Sequence, residues 1–390
     1  MIFGILNKVA KNFHVLCKKN LIVTQRTGSR RSFTELNSEK ETFLGAWPKV
    51  INAITTNPQI TEIPEFANTI KQILDYNITD GKYAEGLSTI LSYKYLEKPE
   101  NITEESLEVC HVLGWCMEMV QAFWIVLDDI TDRSVTRRGK PCWHLVPDVG
   151  LRAVNDSAII YGTMLKILKI KCEHLPQYSK IMDQFHDALI YTATGQHLDY
   201  IMSNQKEKDY VQFTNETYDI IVKYKTSHYA HVLPVFLSLI LANIDDTEIT
   251  EKVKDIGYKI GRLHQMQNDF ADCFPLESEV GNMDTTDINL NMSTLGTDIQ
   301  EGKCSWLAVT ALQNCNEAQR KTFTRYYGSP DPGHVEEIKI LYEQLKLPEI
   351  YKQEKRMRLD EVSRLAHDFN YFPRAPELFL GLLKLFTGKK

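Results

Sequence analysis

The chain has 390 residues, of which 43% are hydrophobic, 25% charged and 10% aromatic, and its formal net charge is -6. That length buries an extensive core in one large domain or two smaller ones, while the acidic balance lacks the concentrated basic surface that nucleic acid requires, so no nucleic-acid partner is expected. The eight cysteines stand singly, with no CxxC pair and no Cys/His grouping of zinc spacing, and are read as reduced thiols in an intracellular enzyme.

The first element is a basic leader. Between Met1 and Thr34 there are four lysines and three arginines, and the first acidic residue is Glu35. Ile2, Ile5, Val9, Phe13 and Leu16 recur at helical spacing beside Lys8, Lys11, Lys18 and Lys19. An acid-free amphipathic leader with arginine has the composition of a mitochondrial transit peptide, so residues 1–37 are expected to be a leader and 38–390 the working domain, mitochondrial or cytoplasmic in location.

From there the period is helical almost throughout, which predicts an all-α fold in a single domain. Helices are expected near Phe43–Ala53, Ile63–Tyr76, Tyr83–Tyr95, Thr103–Ile130, Ser157–Cys172, Ser179–Ser203, Phe213–Ile244, Ile249–Phe274, Ser305–Gln313, Gly333–Leu345 and Leu347–Asp368. The apolar run from His231 to Ile244 is short and contains Pro234, so it reads as a buried helix and not a membrane span. Asp80-Gly81 and Arg138-Gly139-Lys140-Pro141 are turn signals, and Pro275 to Thr297 is a polar stretch without periodicity.

Two segments carry candidate chemistry. Asp128-Asp129-Ile130-Thr131-Asp132 ends the apolar helix, and its spacing sets Asp128 and Asp132 on one face, where both carboxylates reach the same hard cations. Gln267-Asn268-Asp269-Phe270-Ala271-Asp272 repeats this geometry, and two such helix ends facing each other can bracket three Mg²⁺ ions and a diphosphate. The phosphate charge calls for cations, and Arg137, Arg138, Lys225 and Lys303 supply them, Arg by bidentate contact and Lys as a point charge.

The ordered set resembles the farnesyl diphosphate synthases. Asp128 to Trp143 reads DDITDRSVTRRGKPCW and Leu295 to Trp306 reads LGTDIQEGKCSW, and Gly81-Lys82, Leu113-Gly114-Trp115-Cys116 and Lys223-Tyr224-Lys225-Thr226 belong to the same likeness. The resemblance implies the class I isoprenoid synthase helical bundle, usually a homodimer, acting on prenyl diphosphates with Mg²⁺. It makes Asp128, Asp132 and Asp129 metal residues of the first motif, with Asn268, Asp269 and Asp272 in the second. Arg137, Lys225 and Lys303 would hold the allylic diphosphate, Thr226 and Gln265 would line the reacting centre, and Lys82, Gln121 and Arg138 remain at the homoallylic site.

The departures from the family set the functional expectation. The pattern Gly-Lys-x-Asn-Arg-Gly, whose Lys and Arg bind the diphosphate of isopentenyl diphosphate, here reads Gly81-Lys82-Tyr83-Ala84-Glu85-Gly86, with an acid in place of the arginine. Asn268 stands where the second motif begins with Asp, and its carbonyl is a weaker ligand for Mg²⁺. These changes resemble insect terpene synthases descended from farnesyl diphosphate synthases. The expected reaction is therefore a sesquiterpene synthase that ionises farnesyl diphosphate. Trp124, about one helical turn or roughly 5.4 Å deeper than Asp128, would present its π face to the cation, and Phe123 is read as core filler or chain-length floor. The alternatives are a prenyltransferase making farnesyl diphosphate or an irregular coupled product, and a non-catalytic subunit.

Overall fold

The structure, a computed structural model, describes residues 36–204, 210–274 and 297–388. They fall into two units: one runs to Pro48 and is helical over 36–48, and the other spans Lys49 to Lys389. The basic leader lies outside the described residues except for Leu36 and Asn37, which open the first helix, and so does nearly all of the polar stretch from Pro275 to Thr297.

The helices in chain order are α1 (36–55), α2 (Pro58–Thr61), α3 (Pro64–Ile78), α4 (Ala84–Leu96), α5 (Glu104–Thr131), α6 (Arg152–Cys172), α7 (Tyr178–Ser203) and α8 (Asn215–Val222). A π-helix, Lys223–Val232, continues α8 directly into α9 (Leu233–Leu241). Then follow α10 (Thr247–Cys273), α11 (Asp298–Glu301), α12 (Trp306–Asn314), α13 (Glu317–Tyr326), α14 (Pro332–Gln344), α15 (Leu347–Asp368) and α16 (Ala375–Thr387). The strands described are β1 (Thr136–Arg137) and β2 (Lys140–Pro141), an antiparallel pair in which Arg137 faces Lys140. Arg138 and Gly139 between them both have positive φ, 53° and 73°, as a tight two-residue hairpin turn requires.

Local chemistry sets the ends of the two helices that carry the acidic motifs. Thr103 caps α5 in a reciprocal box with Ser106, and Asp246 caps α10 by accepting from the backbone N–H of Ile249. α5 is apolar on nearly every side because it is a core helix: by length and composition it is long enough to cross a membrane, yet most of it is buried inside the bundle, against α4 and α6. The π-helix precedes Pro234, which has no N–H and whose ring crowds the carbonyl one turn back. The ladder widens there, and Leu233 bonds back to the carbonyl of His228. α7 and α10 flank this widened segment, and α4 packs on α9.

Candidate active site

The last turn of α5, the C-terminal part of α7, the π-helix and the loop after α11 meet in one cluster of alternating charge. Lys225 Nζ lies 3.0 Å from Asp128 Oδ1 and 2.6 Å from Asp199 Oδ2. Lys303 Nζ lies 2.8 Å from Asp132 Oδ1, 3.0 Å from the same Asp199 oxygen and 3.6 Å from Glu301 Oε2. Gln196 Nε2 donates to Asp128 Oδ1 at 3.1 Å. Lys303 reaches this point because Gly302, at φ 69°, turns the chain out of α11, and because the Tyr327 hydroxyl donates to the Lys303 carbonyl.

The electrostatics follow the pairing. Burial would raise Asp128 and Asp199, but Lys225 and Lys303 outweigh it and hold both below the carboxylate range. Burial opposes the charge on Lys225 and Lys303 as well, and the surrounding aspartates push both above the usual lysine value. Asp132 is raised by its burial and by the charge of Asp128, and burial pushes Glu301 up to about 7 against the pull of Lys303. Asp129 turns away from this cluster: it is 3% exposed, and the Arg137 guanidinium donates to it from the hairpin, with Nε at 3.1 Å.

The second acidic segment is more deeply built in. Asp269 Oδ2 accepts from the Tyr218 hydroxyl at 2.9 Å and from the Trp306 backbone N–H at 2.8 Å, and Oδ1 accepts from Gln265 Nε2 at 2.8 Å. Gln265 is thus tied to Asp269. Asp272 accepts from the backbone N–H groups of Thr297 and Asp298 at the start of α11, and burial pushes it up to about 6. Asn268, one residue before Asp269, is half-buried. Asp128 and Asp132 offer the hard oxygen donors that Mg²⁺ takes, but ammonium groups occupy them, and among the described residues no three His, Cys, Asp or Glu side chains converge on one cation position.

The residues expected at the homoallylic site have their own arrangement. Arg138 Nη1 donates to the carbonyls of Asn77, Ile78 and Thr79 at 3.0, 3.2 and 3.1 Å, closing the C-terminus of α3. Its guanidinium also packs on Gly81, where an added Cβ would sit 3.1 Å away. Glu85 is 5% exposed, facing Arg138 and Lys82, and burial pushes it up to about 7. Lys82 itself is lowered by desolvation, with Glu85 acting the other way. Gln121 and Thr226 are partly buried, as is Phe123, whose ring meets Trp124 edge-on at 4.7 Å. Trp124 is 7% exposed, and its indole N–H has no hydrogen-bond partner among the described residues. Sequence reasoning missed Gln196, Asp199 and Glu301. The available signal was Gly195-Gln196-His197-Leu198-Asp199, a glycine followed by Gln196 and Asp199 at helical spacing in the C-terminal part of α7.

An all-α bundle with aspartates and lysines interleaved at the ends of its central helices defines an enzyme of the class I isoprenoid synthase fold. The sequence profile of the polyprenyl synthetase family matches residues 67–345. The chain is 33% identical to a farnesyl pyrophosphate synthase of Murgantia histrionica, over 97% of this chain and 88% of that one. It is 33% identical to the Bos taurus farnesyl pyrophosphate synthase over 90% and 97%, and 36% identical to the mitochondrial farnesyl pyrophosphate synthase 1 of Arabidopsis thaliana over 80% and 78%. Among solved structures it resembles the T. brucei farnesyl diphosphate synthase complexed with risedronate, with a TM-score of 0.79 and 27% identity over 90% of this chain and 99% of that one. The chain belongs to the polyprenyl synthetase family, and within it to the farnesyl diphosphate synthase group, which uses Mg²⁺ and prenyl diphosphates.

These relatives overturn the sesquiterpene synthase expectation, since they carry the name of a prenyltransferase and not of a terpene lyase. The physical weakness of that expectation lies at Glu85. It treated the residue as a fixed anion repelling a phosphate, whereas the buried carboxyl is pushed up to about 7 and is neutral in a large share of molecules at neutral pH.

Proposed function

We propose that the chain is a prenyltransferase that couples an allylic diphosphate to a homoallylic one, with farnesyl diphosphate as its product. The observation that carries this reading is the lysine and aspartate cluster, in which Lys225 and Lys303 neutralise Asp128, Asp132 and Asp199. An arriving allylic diphosphate takes over the two ammonium groups, and Asp128 and Asp132 would then be free to hold Mg²⁺, three ions in the full complement. The metal would supply Lewis-acid stabilisation of the leaving diphosphate. Lys225, Lys303 and Arg137 orient that diphosphate, Thr226 and Gln265 border the reacting carbon, and Phe123 and Trp124 limit the depth of the hydrocarbon pocket. The names of the relatives support the same chemistry. Purified protein given geranyl and isopentenyl diphosphates with Mg²⁺ should form farnesyl diphosphate, and the absence of any condensation product would overturn the reading.

We also infer a homodimer, from family membership and from the apolar residues Ile190 and Ile201 that α7 leaves 59% and 43% exposed. Light scattering at assay concentration should give twice the chain mass, and a monomer mass would refute it.

A further inference from the structure

The first turn of α4 holds a carboxyl where an anionic ligand would dock. Glu85 is 5% exposed between Ala84 and Gly86, and this turn is fixed because the Gly86 backbone N–H donates to Glu118 Oε1 of α5 at 2.8 Å. The charged and titratable groups around it come from four other segments: Lys82 from the chain before α4, Arg138 from the hairpin, Glu118 from α5 and Tyr229 from the π-helix. His264 of α10 lies beyond, against Lys82. Arg138 is not free to adjust fully, being pinned by three helix-end carbonyls and by its packing on Gly81, whereas Lys82 is an exposed residue.

An ionised Glu85 therefore spends part of the attraction of two cations that a diphosphate needs. A neutral Glu85 leaves both to the ligand and adds an O–H donor. We infer that the acceptor diphosphate enters this site together with a proton, which resides on Glu85. The inference rests on the prenyltransferase reading. Burial, the dominant influence on Glu85 and only partly offset by Arg138 and Lys82, pushes its pKa up to about 7, so the uptake takes place in the neutral range. The neutral fraction falls from about nine-tenths at pH 6 to about one-tenth at pH 8, so the KM for isopentenyl diphosphate should rise about tenfold between them. The allylic cations Lys225 and Lys303 are pushed above the usual lysine range and do not titrate there, so the KM for geranyl diphosphate should not follow.

The test is calorimetric titration of the full chain, with Mg²⁺ present, by isopentenyl diphosphate at pH 7 in two buffers of different ionisation enthalpy. Wild type should take up about half a proton more per ligand than E85Q, because half of Glu85 is already neutral. E85R should bind the acceptor more tightly than wild type and without the added uptake. Equal uptake in wild type and both variants would overturn the proton coupling and leave the prenyltransferase reading standing. Failure of all three proteins to bind isopentenyl diphosphate at pH 6 and pH 8, together with no condensation product, would overturn both.

Discussion

Asp199 holds two ammonium groups on one carboxylate oxygen, whereas Asp128 pairs with Lys225 and Asp132 with Lys303. Removing one member of such a buried group costs about 3 to 5 kcal/mol, because the cations left behind stay desolvated. Asp199→Asn should accordingly lower the stability measured by chemical denaturation by that order and reduce turnover. Asp128→Ala should behave differently. Its carboxylate shares Lys225 with Asp199, so the helical circular dichroism should persist while nearly all turnover is lost. Retention of most activity by Asp128→Ala would refute the metal assignment. The aspartates of the first motif were legible in the sequence because their spacing shows on a single helix. The partners were not: Lys303 meets Asp132 across 171 positions of chain, and no local pattern encodes that.

At the scale of elements, the approach of α7 to the π-helix is what brings Asp199 to Lys225. The two backbones come so close at Gly195 that an added Cβ would lie 2.0 Å from the Lys225 nitrogen and 2.5 Å from its Cα. Those are backbone atoms and cannot turn aside. Gly195→Ala must push α7 away from the π-helix, at about the 1 to 3 kcal/mol typical of overpacking, and it shifts Lys225 relative to Asp128. The expected outcome is a lowered melting temperature and a loss of turnover larger than the stability loss explains; unchanged kinetics would show that the spacing here is not critical. Helical period gave most elements to within a few residues, Leu347–Asp368 without any shift. Four helices escaped it: α2 and α11 are single turns, and α13 and α16 were missed for opposite reasons. α13 is short and polar, with Phe323 its buried residue, and α16 is apolar on most faces and interrupted by Gly381, which blurs the period. The expected single helix from Phe213 to Ile244 is a continuous rod whose middle is a π-helix, a departure that depends on packing around Pro234 as well as on the proline itself.

Across the molecule, buried titratable groups of opposite kinds oppose one another. Burial lowers His228 and His264 to about 4 and holds His231 well below the usual histidine value. A histidine lowered in the folded state contributes stability that is complete above its unfolded pKa and fades as pH falls through about 6.5 towards the folded value. Glu85 and Glu301, pushed up to about 7, and Asp272, to about 6, act in the reverse sense: folding gains from them as pH drops through those values towards the ordinary carboxylate range. Each of these groups changes stability by about 1 to 3 kcal/mol between pH 7.5 and pH 5, and the two kinds act in opposite directions. A single substitution exposes the histidine side. The His231 ring packs at a tilt against Phe386 of α16 with centroids 4.1 Å apart and lies 5.3 Å from His264, and neither of its ring nitrogens has a hydrogen-bond partner among the described residues, although the Ser227 carbonyl favours its protonated form. His231→Phe keeps the ring and removes the titration. Any packing change is common to both pH values, so the informative quantity is the difference between them. The variant should gain about 2 kcal/mol more over wild type at pH 5 than at pH 7.5 in denaturant unfolding, and an equal gain at the two pH values would mean that His231 does not remain neutral inside the bundle.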